Sequence, residues 1–244
     1  MILSIASTKG GTGKTTTVCN VAAALGRAGY RVLTVDMDPQ ASLSKWYEVT
    51  EGVTLAKVLD GSHSLTEAVY TSDEFGFDLI PSSRRLRDNQ KQLSRLERPL
   101  KRLVHEHYDL CVIDTPPSVS AFTTAAIEVS GGVVIPIEAS MAAMDTLADS
   151  LSVVRQLGGT VLGVLVCRVD ARTSNDVSVQ PHLKDQYGDL VFDQVIRESV
   201  AVRDSNAERI PTVVSAPSNN ASQDYKTFAL QLKAKIDHAQ AQKV

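Results

Sequence analysis

Residues Ser7–Thr16 read STKGGTGKTT, with three glycines, two lysines and four threonines directly after a short apolar run. Glycines let successive backbone N–H groups turn inward as an anion nest. A helix that starts there adds the partial positive charge of its N-terminus. Gly13-Lys14-Thr15 then sets an ammonium and a hydroxyl at the mouth of the nest. This is the composition of a Walker A loop, in which Gly10, Gly11, Thr12, Gly13, Lys14, Thr15 and Thr16 would cradle nucleotide phosphates. Lys14 would reach the β- and γ-phosphates and the Thr15 hydroxyl would ligate Mg²⁺. The pattern usually begins with glycine, and that position here is Thr8. A plain flexible turn would not account for Gly-Lys-Thr at a helix start. A single lysine suffices for such a cradle, so Lys9 needs a separate explanation.

Two further segments, VLTVDMDPQAS and YDLCVIDTPPS, deliver Asp36, Asp38 and Asp114 from the ends of apolar runs. The C-terminal ends of strands are where ligands sit in open α/β sheets. Cys19, Cys111 and Cys167 are far apart with no CxxC spacing, and read as buried free thiols. The formal net charge of −3 gives no bulk basic signal, so any nucleic-acid surface must be local. No signal peptide and no run of about 18 apolar residues is visible.

The elements that would hold these residues alternate in type. ILSIAS, RVLTVD, FDLIP, YDLCVID, GGVVIPI, VLGVLVCRV and LVFDQVI are strand candidates, several continuously apolar, as in a parallel sheet covered on both faces. Between them lie helical stripes: Val18, Val21, Ala22 and Leu25; Leu86, Leu93, Leu96, Leu100, Leu103 and Val104, kinked or divided at Pro99; Leu147, Leu151 and Val154; and Tyr225, Phe228, Leu232 and Ile236. The alternation predicts an α/β fold, a doubly wound, mostly parallel sheet flanked by helices, in a single domain over residues 1–244. Asp170–Ser178 reads as a loop within it.

KGGTGKTT resembles the deviant Walker A signature of the ParA/MinD family of P-loop ATPases. The resemblance implies ATP and Mg²⁺ as cofactors, and it explains Lys9 as the lysine that reaches a partner's nucleotide across a dimer interface. The Asp-Met-Asp-Pro-Gln segment resembles the family's switch I, which implies that Asp38 orients the attacking water and Asp36 holds the Mg²⁺ shell. Asp114 with Thr115, Pro116 and Pro117 resembles Walker B with switch II, which implies Mg²⁺ binding through water at Asp114. Asp170 and Arg172 match a D-x-R-T loop. The late arginine-bearing segment matches more loosely, with Pro211 as an adenine contact before a last short strand.

Among family branches the chain is similar to the short ParA forms. It starts at the first strand, its end, IDHAQAQKV, is no basic amphipathic membrane helix, none of the three cysteines sits at the cluster-binding place just after a switch loop, and a tyrosine-rich tail is absent. This implies a cytoplasmic, nucleoid-associated ATPase. It would form an ATP homodimer, bind DNA non-specifically and answer to a ParB-like or adaptor protein that stimulates hydrolysis. Arg197, Arg203, Arg209, Lys226 and Lys233 are the DNA contacts the resemblance favours. Arg84–His107, with eight lysines and arginines against three acids, is a rival surface. A nucleotide-switched partner-recruiting module without a DNA role is the alternative. A metabolic ligase of the dethiobiotin synthetase kind would leave Lys9 and the switch I segment unexplained.

Overall fold

The structure, a computed structural model, describes residues 1–47, 49, 52–140 and 142–241. The strands are β1 (Ile2–Ile5), β2 (Val32–Asp36), β3 (Tyr70–Ser72), β4 (Phe77–Ile80), β5 (Leu110–Asp114), β6 (Val133–Glu138), β7 (Val161–Val169) and β8 (Ile196–Arg197). They form one sheet in the order β3-β4-β2-β5-β1-β6-β7-β8. All pairings are parallel except β3 with β4. The expected mostly parallel α/β sheet is therefore present. The three-residue edge strand β3 carries no apolar run and escapes sequence reading.

The helices are α1 (Lys14–Arg27), α2 (Leu55–Leu59), α3 (Glu97–His107), α4 (Ala121–Val129), α5 (Ala143–Gln156), α6 (Ser174–Tyr187), α7 (Val200–Glu208), α8 (Thr212–Ser215) and α9 (Asn220–Ala241). Strand residues alternate between faces, as the period of two demands. Leu3, Ile5, Leu110, Val112 and Val134 pack under α1 and α9. Ile2, Leu33, Val35, Cys111 and Ile113 pack under α2, α3 and α4. Val133, Ile135 and Ile137 pack with Leu147, Leu151 and Val154 of α5 and Val179 and Leu183 of α6. Both faces are covered, which is why the strands read as unbroken apolar runs. All four predicted helical stripes are buried. The three cysteines are buried free thiols.

Three local expectations are corrected. The polar stretch 170–178 is a loop only to Thr173, after which α6 begins; its polar residues lie on the solvent side of a helix anchored by Val179 and Leu183. The segment after Pro211 is the short helix α8, not a strand. Pro211 sets the φ of its cap, and its carbonyl accepts from the N–H groups of Val214 and Ser215. LVFDQVI is mostly not strand: Val191 makes an isolated bridge to Val164, and only Ile196–Arg197 pairs as β8. Pro99 falls in the first turn of α3, where a missing N–H has no helical partner to lose. The stretch before it, Arg84–Arg95, winds as tighter 3₁₀ turns with a non-helical Asn89.

Candidate nucleotide site

β1, β2 and β5 are adjacent and parallel, with Ile5 opposite Asp114 and Asp114 opposite Asp36. The register alone brings the loop after β1, Asp36 and Asp114 to one end of the sheet. This is the strand-order reversal at which such sheets bind ligands.

The loop has the backbone that its glycines allow. Gly11 and Gly13 have φ of 78° and 88°, and no atom would stand within 4 Å of a Cβ at either. A side chain there would be opposed by backbone strain and not by crowding. Gly13 is also the N-cap of α1 and makes no side-chain cap, which leaves the first amides of the helix pointing out of its end. Thr8 has no positive φ, so the glycine usual at that position is not required by the backbone here.

Lys14 is 7 % exposed. Its ammonium donates to the Lys9 carbonyl at 2.9 Å and to the Ser7 hydroxyl at 3.3 Å, so it lies folded over its own loop. Burial pulls its pKa down, against the pull of Asp114 and Asp38. Thr15 Oγ1 donates to Asp114 Oδ2 at 2.7 Å. The other oxygen, Asp114 Oδ1, is buried and has no hydrogen-bond partner among the described residues. Burial, followed by the neighbouring Asp36, raises the Asp114 pKa well above the usual carboxylate range. An orphaned buried carboxylate oxygen beside a threonine hydroxyl is the donor set that an oxygen-loving cation requires. Among the described residues, no three His, Cys, Asp or Glu side chains gather as a protein-only cage. Mg²⁺ takes one or two protein groups and fills its octahedron with phosphate and water.

Asp36 is fully buried and accepts three hydrogen bonds. The Asp38 N–H donates to Oδ1, and the Ser44 N–H and hydroxyl donate to Oδ2. Burial nonetheless pushes its pKa up to about 6. Asp38 is 8 % exposed and accepts from the Gln40 N–H. The turn it caps carries Ala41 at φ 55°, a strained value for a residue with a side chain. The Thr115 hydroxyl donates to the Ile5 carbonyl and ties the segment after β5 to the strand before the phosphate loop.

Lys9 is outside the cradle and half exposed. Its ammonium pairs with Glu138 at the end of β6 at 3.4 Å, and Glu138 also pairs with Arg168 of β7 at 2.6 Å. Arg168 has φ 60°. Neither Glu138 nor Arg168 was singled out from sequence, although a charged residue ending an apolar strand was the available signal. Ser44, eight residues after Asp36, had none.

A cavity of about 160 Å³ adjoins the loop, lined by Gly11, Gly13 and Thr16 on one side and by Arg197, Glu198 and Arg203 among others opposite. Pro211 is buried nearby at the start of α8 and is not among the lining residues. The late basic set divides. Arg197 forms a two-pronged ion pair with the buried Asp224 (2.6 and 2.9 Å). Lys226 donates to the Pro217 carbonyl. Lys233 pairs with Asp237 and lies over the Tyr30 ring. Arg203 and Arg209 are exposed and, among the described residues, unpaired.

A parallel sheet with a glycine loop at its switch point, a buried lysine and a threonine–aspartate pair defines a P-loop nucleotide hydrolase. The family described as AAA domain matches residues 1–165. The chromosome-partitioning ATPase Soj of Thermus thermophilus is 31% identical over 97% of each chain. An ATP complex of Cyanothece McdA superposes with a TM-score of 0.83 at 25% identity, over 97% of this chain and 96% of that one. The MinD of Pyrococcus horikoshii with Mg-ADP gives 0.82 at 28% identity over 95% of each. The chain belongs to the ParA/MinD family of P-loop ATPases.

Proposed function

We propose that this ParA-type ATPase works as a Mg-ATP-dependent sandwich dimer that binds DNA non-specifically. It partitions or positions DNA or a large protein cargo, and is reset when a ParB-like or adaptor protein stimulates hydrolysis. It is a single P-loop domain over residues 1–244, cytoplasmic and associated with the nucleoid in its ATP state. No described helix is long and apolar enough to cross a membrane. The observation that carries the reading is the pairing of the Thr15–Asp114 contact and its orphaned oxygen with a buried Lys14 at the loop of two left-handed glycines.

The residues have distinct tasks. The amides of Gly10–Thr16 hold the phosphates. Lys14 exchanges the Lys9 carbonyl and Ser7 for the β- and γ-phosphate oxygens. Thr15 and Asp114, with Asp36 beside them, would hold Mg²⁺, which when bound neutralises phosphate charge and aligns the chain of phosphates. Asp38 accepts a hydrogen bond from the attacking water and turns its oxygen towards the γ-phosphorus. The bond from that phosphorus to the ADP oxygen then breaks, giving ADP and phosphate. Lys9 leaves Glu138 and meets the nucleotide of the opposite protomer, a cation supplied in trans that makes dimerisation depend on the γ-phosphate. Pro211 flanks the adenine.

Light scattering with ATP, ADP and no nucleotide, each with Mg²⁺, tests this. A dimer specific to ATP and a turnover far below the roughly 10 s⁻¹ typical of enzymes are expected. A protein that stays monomeric with ATP bound, or that turns over fast alone, contradicts it.

A further inference from the structure

The chain has a net charge of −3, yet residues 84–98 carry six basic residues against Asp88 and Glu97, a local +4 that leaves −7 for the rest. Leu86, Asn89, Leu93 and Leu96 turn this segment's inner side into the core. The inward spacing of three, four and three forces the charged residues outward. Arg84, Arg85, Arg87, Lys91, Arg95 and Arg98 are all exposed, and among the described residues none has a hydrogen-bond or ion-pair partner. Glu97 is already held by Lys101. Three of the late basic residues differ, because Arg197, Lys226 and Lys233 are each engaged within the chain, which leaves only Arg203 and Arg209 of that set unpaired among the described residues.

We infer that the outer face of residues 84–98 is the surface that takes the phosphate backbone of duplex DNA. This rests on the DNA-binding reading above and assigns it a place. Five of the six cations are guanidiniums, whose planar fork matches phosphate oxygens. An acidic protein partner fits less well. Protein interfaces need apolar anchors, and the large exposed hydrophobics among the described residues, Val119, Val177, Val200 and Leu230, all lie outside this segment. The face is also tied to the nucleotide site. Ser82 N–H donates to the Ser44 hydroxyl, which donates to Asp36, so two hydrogen bonds link the residue two before the segment to that buried carboxylate.

The test is fluorescence anisotropy of unrelated 30-base-pair duplexes (the length roughly three DNA turns) in a salt series, with Mg-ATP or Mg-ADP. The wild type is compared with the triple variant Arg85→Gln, Arg87→Gln, Lys91→Gln and the double variant Arg203→Gln, Arg209→Gln. ATP-dependent dimerisation by light scattering reports that each is folded. The triple variant should dimerise as wild type does, bind DNA about tenfold or more weaker, and lose about 0.9 from the log–log salt slope per phosphate contact removed. A slope unmoved in the triple variant but reduced in the double one overturns the assignment while the function stands. No ATP-dependent DNA retention by the wild type overturns both. Poly-glutamate bound by the wild type as tightly as duplex overturns the choice of DNA over an acidic protein.

Discussion

The two regions richest in charge treat it in opposite ways. At the end of β1, β2 and β5, Lys14, Asp36, Asp38 and Asp114 are buried within one cluster, and their polar atoms are satisfied by fixed neighbours or held open at one oxygen. On residues 84–98 the cations are exposed and, among the described residues, without partners. Buried charge interacts strongly because little solvent screens it, and each group depends on the position of the next. Exposed charge is screened and acts additively over a surface. The first arrangement suits recognition of one small anion in one geometry. The second suits a long polyanion in many registers.

The steepest test of that contrast is Lys14→Ala. Loss of a charge-assisted contact at the cluster's centre should cost about 2.7 kcal/mol, or about a hundredfold in ATP affinity, measured by fluorescent nucleotide titration. Lys9→Ala should leave that affinity nearly unchanged and abolish the ATP dimer. Equal loss of binding in the two variants would erase the distinction between them. Asp38→Ala should lower turnover by about 10²-fold or more and hold the protein as an ATP-bound dimer, read by light scattering. Monomers with ATP bound would contradict the water-orienting role.

Smaller effects sharpen the other side. Asp224→Ala removes the buried partner of Arg197, and because that guanidinium can regain water, the loss should be about 1–2 kcal/mol by denaturant titration. Arg203→Ala should stay within about 0.5 kcal/mol of wild type. An equal loss in both would mean that Arg197 is no more structural than its neighbours. The smallest effect belongs to Arg87→Gln alone. It should leave stability and ATP affinity unchanged and lower the DNA salt slope by about 0.9.

Sequence by itself determined much of this protein. Unbroken apolar strands separated by amphipathic stripes demanded a sheet covered on both faces, because no other packing buries a strand on both sides. The glycine–lysine–threonine run demanded an anion cradle, because only glycine takes the φ found at Gly11 and Gly13 without strain. These signals are local, so neighbouring residues carry them. The short elements escaped, since β3 and α8 have too few residues for a period to register and are held by Leu79 and Asn20 from elsewhere in the chain. Only the tertiary structure decided which charges are engaged. Arg197 and Arg87 look alike in sequence, but the fold sets Asp224, 27 residues away, against the first and no described residue's polar group against the second. It likewise brought Glu138 to Lys9 and left one oxygen of Asp114 open beside Thr15. Strand order and register place such groups, and they depend on the packing of the whole chain.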